Sequence, residues 1–126
     1  MEADTMLQLL SGFPEHVVAL AAQGVVTRSD YQTVLIPQVE KALKQHPKVR
    51  FYYELGAGFS GIEAGAMWED LKIGVEHFTR WERIAVVTDV DWIRHAMNAF
   101  RLLMPGEIRV FGLAEAPQAR TWIAAA

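Results

Sequence analysis

Val49-Arg-Phe-Tyr-Tyr-Glu-Leu-Gly-Ala-Gly-Phe-Ser-Gly-Ile-Glu-Ala-Gly-Ala-Met-Trp-Glu-Asp-Leu71 is the stretch on which the fold turns. Its first part alternates Val49, Phe51, Tyr53 and Leu55 with Arg50, Tyr52 and Glu54, the period of two that predicts a strand. The glycines at 56, 58 and 61 predict a turn. Beyond them Ala64, Met67, Trp68, Leu71, Val75 and Phe78 recur at helical spacing, with Glu69, Asp70, Lys72 and Glu76 assigned to the wet side. A strand, a glycine-rich turn and a helix in that order gather backbone N–H groups at one end of a sheet. Gly58, Ser60 and Gly61 are therefore a candidate anion-binding or phosphorylation site.

Working outward, Met1 to Thr5 reads as a flexible end, and Met6 to Leu10 and His16 to Gln23 read as two strands joined by the turn at Phe13-Pro14. So short a connection predicts an antiparallel hairpin. A helix is expected from Arg28 to Gln45, capped by Thr27 and favoured by Asp30 in its first turn. Its apolar face is Tyr31, Val34, Leu35, Val39, Ala42 and Leu43, and Pro37 predicts a kink because the stripe keeps its phase across it. Arg83 to Thr88 is a β-branched run suited to a strand covered on both faces. The next helix, Asp91 to Met104, is oilier than one buried face requires. Trp92, Ala99, Leu102 and Leu103 extend the stripe formed by Ile93, Ala96, Met97, Phe100 and Met104. Pro105-Gly106 stops it, Glu107 to Phe111 forms the last strand, and a closing helix begins near Pro117.

The order ββαβαβαβα predicts a single α/β domain over residues 1–126, with a five-stranded, mixed but mostly parallel sheet and about four helices. The composition is that of an ordinary globular protein, 52% hydrophobic and 21% charged. A formal charge of -3 offers nucleic acid no attraction. The lack of cysteine excludes disulfides and thiol chemistry and fits a reducing compartment. The N-terminus lacks the basic segment and apolar block of a signal peptide, so the expected location is the cytoplasm.

Four segments together resemble the SpoIIAA-like family, grouped with the STAS superfamily and distantly with CRAL-TRIO lipid-binding domains. They are Gly24 to Tyr31; Phe59 to Leu71 with its Ala66-Met67-Trp68-Glu69-Asp70-Leu71; Arg83 to Asp89 followed by Trp92; and Val110-Phe111 followed by Ala119-Arg120-Thr121-Trp122. The resemblance implies a small binding or regulatory domain without an assigned enzymatic activity. In the sporulation regulators of this family a serine in an Asp-Ser-Ser-Gly turn is phosphorylated. Here the matching turn is Gly58-Phe59-Ser60-Gly61, so Ser60 and Gly61 match and the acidic residue does not.

Other chemistries find little support. Gly56 to Gly61 is formally G-x-G-x-x-G, but the nearest strand-end acid, Asp89, lies 28 residues beyond Gly61 rather than about 20. His16, His46, His77 and His95 fit no catalytic triad, and no set of residues at ligand spacing points to a metal. Asp89 is read as the cap of the helix after it. No cofactor and no catalytic residue is assigned.

The positive expectation is a groove beside helix 91–104 that opens as the helix moves, with Phe59, Trp68, Trp92, His95, Ala99, Leu102 and Leu103 as ligand-binding residues. Its occupant is expected to be an apolar, lipid-like molecule or the surface of a membrane contacted peripherally. The competing expectations are that these side chains pack on a protein partner or a second copy, or that the chain is a STAS-type interaction switch acting through Ser60.

Overall fold

The computed structural model describes residues 6–126, and the expectation for Met1 to Thr5 lies outside the described residues. Strand β1 (Leu7–Leu9) pairs antiparallel with β2 (Val17–Val26). Strands β3 (Val49–Ile62), β4 (Trp81–Thr88) and β5 (Glu107–Phe111) follow in parallel, giving the sheet order β1-β2-β3-β4-β5. The helical segments are α1 (Arg28–Asp30), a π-helical stretch (Tyr31–Leu35), α2 (Ile36–Gln45), α3 (Ala64–Glu76), α4 (Asp91–Phe100) and α5 (Ala116–Ala124). The first three run on without a break as one helix, so the expected order and the single α/β domain with four helices are what the chain forms.

The entry to that first helix is closed reciprocally. Thr27 Oγ1 accepts from the Asp30 N–H at 3.1 Å, and Asp30 Oδ2 accepts from the Thr27 N–H at 2.8 Å. Asp30 Oδ1 also accepts from the Met6 N–H at 3.2 Å, which ties the edge of the sheet to the helix. The irregularity expected at Pro37 appears one turn earlier, as the π-helical stretch in which the Ile36 N–H reaches the Tyr31 carbonyl.

Two apolar cores lie on opposite faces of the sheet. Val17, Ala19, Tyr52, Ala85 and Val87 meet Ala119 and Ile123 of α5 on one face. On the other, Phe51, Tyr53, Leu55, Trp81 and Val86 meet side chains from the first helix, α3 and α4. Helix α5 is secured at its C-terminus by cations. Arg50 Nη1 donates to the carbonyls of Ile123 and Ala125 while its Nε pairs with Glu82 at 2.7 Å, and Arg83 Nη1 donates to the Trp122 carbonyl at 2.8 Å.

The strand order crowds the second face. Parallel neighbours joined in sequence by crossovers of one hand carry all their helices on one side. Three helices abreast need about 16–20 Å between their outer axes, whereas β2 to β5 span about 14 Å. Helix α3 packs chiefly on the first helix, whereas α2 and α4 pack on strands of the sheet.

Three expectations are corrected. The glycine stretch 56–61 is strand, not turn: β3 continues to Ile62 because β2 continues beside it, pairing Gly24 with Phe59, Val25 with Gly61 and Val26 with Ile62. The register shifts on both sides of Gly24, whose φ of +61° makes the bulge. Second, α3 is rotated from its expected orientation. Glu69, assigned to water, is only 3% exposed, while Met67, Trp68, Leu71 and Val75 are exposed. The cause is the anchor that α3 uses: Arg28 Nε binds Glu69 Oε2 at 3.0 Å, and an added Cβ on Gly65 would come within 3.2 Å of the Arg28 stem. Third, α4 ends at Phe100, and Arg101 to Leu103 form turns ahead of Pro105.

Candidate functional site

A cavity of about 320 Å³ lies between α3, α4, the first helix and the sheet. Its floor is Phe51, Tyr53 and Leu55 of β3 with Trp81, Ile84 and Val86 of β4, side chains that alternate onto one face of the strands. One wall is Tyr31, Leu35 and Val39, four residues apart along the first helix. The opposite wall is Trp92, Ile93, Ala96, Met97 and Phe100 of α4, and Met67, Asp70, Leu71, Ile73 and Gly74 of α3 form the roof. Met67, Leu71 and Trp92 both line the cavity and reach the surface, with Trp92 53% exposed. They form the rim of its mouth.

Polar groups converge at one part of this apolar chamber. The Tyr31 and Tyr53 hydroxyls are 3.1 Å apart and buried, and Asp70 projects from the roof beside them. Asp70 borders the cavity and is at the same time exposed to solvent along the outer side of the roof, with protein crowded around its carboxyl. Burial pushes its carboxyl up to about 6, against the opposing pull of the neighbouring Tyr31 hydroxyl. Tyr31 and Tyr53 are both raised well above the usual phenol range, first by burial and then by the charge of Asp70, so both remain protonated at neutral pH. The indole N–H of Trp81, also in the cavity wall, is buried without a hydrogen-bond partner.

Among the residues expected from sequence to bind a ligand, Trp92 is in the cavity wall. Phe59 is half-buried against the core from β3. Trp68, His95 and Ala99 lie exposed on α3 and α4, and Leu102 and Leu103 stand exposed in the turn after α4, Leu102 at 85%. Gly58, Ser60 and Gly61 lie in β3, and Ser60 is exposed there, short of Glu63, the residue that caps α3. A phosphate on Ser60 would not sit on a helix N-terminus, because the backbone groups around it belong to the sheet. Asp89 also differs from its expected role: Val90 is the cap of α4, Thr88 Oγ1 accepts from its N–H, and Asp89 Oδ1 accepts from the Leu113 N–H at 3.1 Å.

Tyr31, Tyr53 and Asp70 were not singled out by the sequence reading. Tyr31 and Tyr53 fall on apolar stripes and read as core. Asp70 carried a usable signal, since it shares a helical side with Met67, Leu71 and Gly74 and so interrupts an apolar row with an acid. No group of three or more His, Asp or Glu among the described residues is arranged to hold a metal ion. None of their helices is long and apolar enough to cross a membrane.

A model of the SpoIIAA-like family matches residues 17–124. The crystal structure of a DUF3478-family protein with a SpoIIAA-like fold from Shewanella loihica PV-4 superposes with a TM-score of 0.76, covering 98% of each chain at 23% identity. No curated protein matches.

Proposed function

The chain belongs to the SpoIIAA-like family, and from that premise we propose that it acts by binding, not by catalysis, holding an apolar, lipid-like molecule in the cavity beneath α3. The observation that carries this reading is the cavity itself: about 320 Å³, walled by aliphatic and aromatic side chains, and rimmed by the exposed Met67, Leu71 and Trp92. That volume lies at the lower end of the about 300–1,000 Å³ typical of small-molecule sites. At about 30 Å³ per water in the liquid, it suits a ligand with on the order of ten non-hydrogen atoms in its buried part. Covering the rim adds a favourable term, since each large apolar side chain removed from water contributes roughly 1.5–3 kcal/mol. Entry is between α3 and α4, by outward movement of α4. The exposed Leu102 and Leu103 are the residues that would meet a bilayer during loading.

The test is native mass spectrometry of the purified protein before and after lipid extraction, followed by titration of the extracted protein with the recovered lipid fraction. A mass excess that disappears on extraction and returns on titration supports the reading. A protein that remains at its bare mass, and takes up none of the fraction, overturns it. The competing switch reading through Ser60 has less support, because a strand residue offers an added phosphate no helix N-terminus.

A further inference from the structure

We propose that the molecule held in this cavity is an amphiphile whose head group donates hydrogen bonds, an amine or an alcohol, and that Asp70 receives that head while the apolar walls receive the body. The inference rests on the reading of the cavity as a ligand site and specifies the class of ligand. It follows from the hydrogen-bonding capacity left over at the polar part of the chamber. The Tyr31 and Tyr53 hydroxyls, 3.1 Å apart, share one hydrogen bond beside Asp70. The Asp70 carboxylate lines the same chamber and, ionised, offers only acceptors. The open donor in the chamber wall is the Trp81 indole N–H, which can answer the oxygen of an alcohol but not an ammonium.

Charge points the same way. The other charged groups nearby are engaged elsewhere: Asp30 of α1 is held by Thr27 and Met6, and Glu69 of α3 pairs with both Lys72 and Arg28. None of the ion pairs among the described residues includes Asp70. Helix α4 faces the chamber with Trp92, Ile93, Ala96 and Met97, which carry no charge. A fatty carboxylate entering head first would set a second negative charge against Asp70 in an apolar surround, whereas an ammonium head would neutralise it. Burial holds the Asp70 carboxyl at about 6, so at pH 7.5 it is predominantly ionised and available to a cationic donor.

The experiment is calorimetric titration of the full chain at pH 7.5 with n-decylamine, 1-decanol and sodium decanoate, each below its micelle threshold, on the wild type and on Asp70→Asn. The expected order in the wild type is amine, then alcohol, then carboxylate, with about a tenfold gap between the first and the last. Asp70→Asn is expected to close that gap and to leave decanol binding, and Ala96→Phe, which fills the chamber from α4, to weaken all three. Decanoate binding as tightly as decylamine in the wild type overturns the head-group assignment and leaves the cavity reading intact. So does an amine preference that survives Asp70→Asn. If none of the three binds, or Ala96→Phe changes none of them, the cavity reading fails and this inference fails with it. The wild-type series needs no variant, so a poorly folding substitution does not remove the test.

Discussion

The hydroxyl of Tyr31 on the first helix and that of Tyr53 on β3 meet at 3.1 Å, both rings buried, and this contact joins the wall of the cavity to its floor. Removing either hydroxyl leaves the other without its partner, so Tyr31→Phe and Tyr53→Phe are each expected to cost about 1 kcal/mol. The double variant should cost less than the sum, with a coupling of at least about 0.5 kcal/mol in urea denaturation. Strict additivity would mean that the two hydroxyls do not interact in solution.

Asp70 predicts a pH dependence of stability with a definite sign. Unfolded, the carboxyl loses its proton near the 3.8 of a free aspartate; folded, it keeps it to about 6. Between those values the folded state binds more protons than the unfolded state, so this group makes stability fall as pH rises through the window and leaves it constant below. Asp70→Asn should therefore unfold at a higher temperature than the wild type at pH 7.5, with the difference shrinking by pH 4. An advantage that persists at pH 4 would show that the gain has another origin.

Two glycines separate backbone necessity from permissiveness. A Cβ on Gly106 would stand 2.2 Å from the Trp81 carbonyl oxygen, a backbone atom that cannot move without moving β4. Gly61 has open space around the same position. Gly106→Ala is expected to destabilise by more than about 2 kcal/mol and Gly61→Ala by less than about 0.5 kcal/mol. A large loss at Gly61 in chemical denaturation would argue for the turn that the sequence suggested there.

Arg50 is the fastener of α5. Its buried guanidinium serves the Ile123 and Ala125 carbonyls and Glu82, whose own carboxyl is held below the usual range chiefly by that hydrogen bond. Arg50→Met should cost about 2–4 kcal/mol and free the last helix first. Hydrogen exchange at Trp122 and Ile123 checks it: protection equal to that of the wild type would contradict the assignment.

Leu102 and Leu103 contribute little to the fold, being exposed. Leu102→Ser with Leu103→Ser should leave stability within about 0.5 kcal/mol of the wild type. The same pair should lower co-sedimentation with phosphatidylcholine vesicles. Unchanged co-sedimentation would remove these two residues from any membrane contact.

The residues that carried the family resemblance, Gly24 to Tyr31 and Ala66 to Leu71 among them, lie within the span that the family model matches. Their structural roles became clear only in part from sequence. Thr27 and Asp30 could be read as a helix start because capping is settled within three residues. The site could not be read so directly. Trp92 stood out because it lies on an overly apolar helix, but Tyr31 and Tyr53 are indistinguishable from core tyrosines until helix and strand are brought together.

The amino-acid sequence by itself determined the order of elements, the faces of β3 and β4 that turn inward, and the start of the first helix, since each depends on periodicity or on contacts a few residues apart. The tertiary structure decided that residues 56–62 remain strand, because their partners are Gly24 to Val26, far back in the chain. It also decided that α3 buries Glu69 and roofs a cavity with Asp70. Three crossover helices share one face, and no local pattern records which of them packs on its neighbour in place of the sheet.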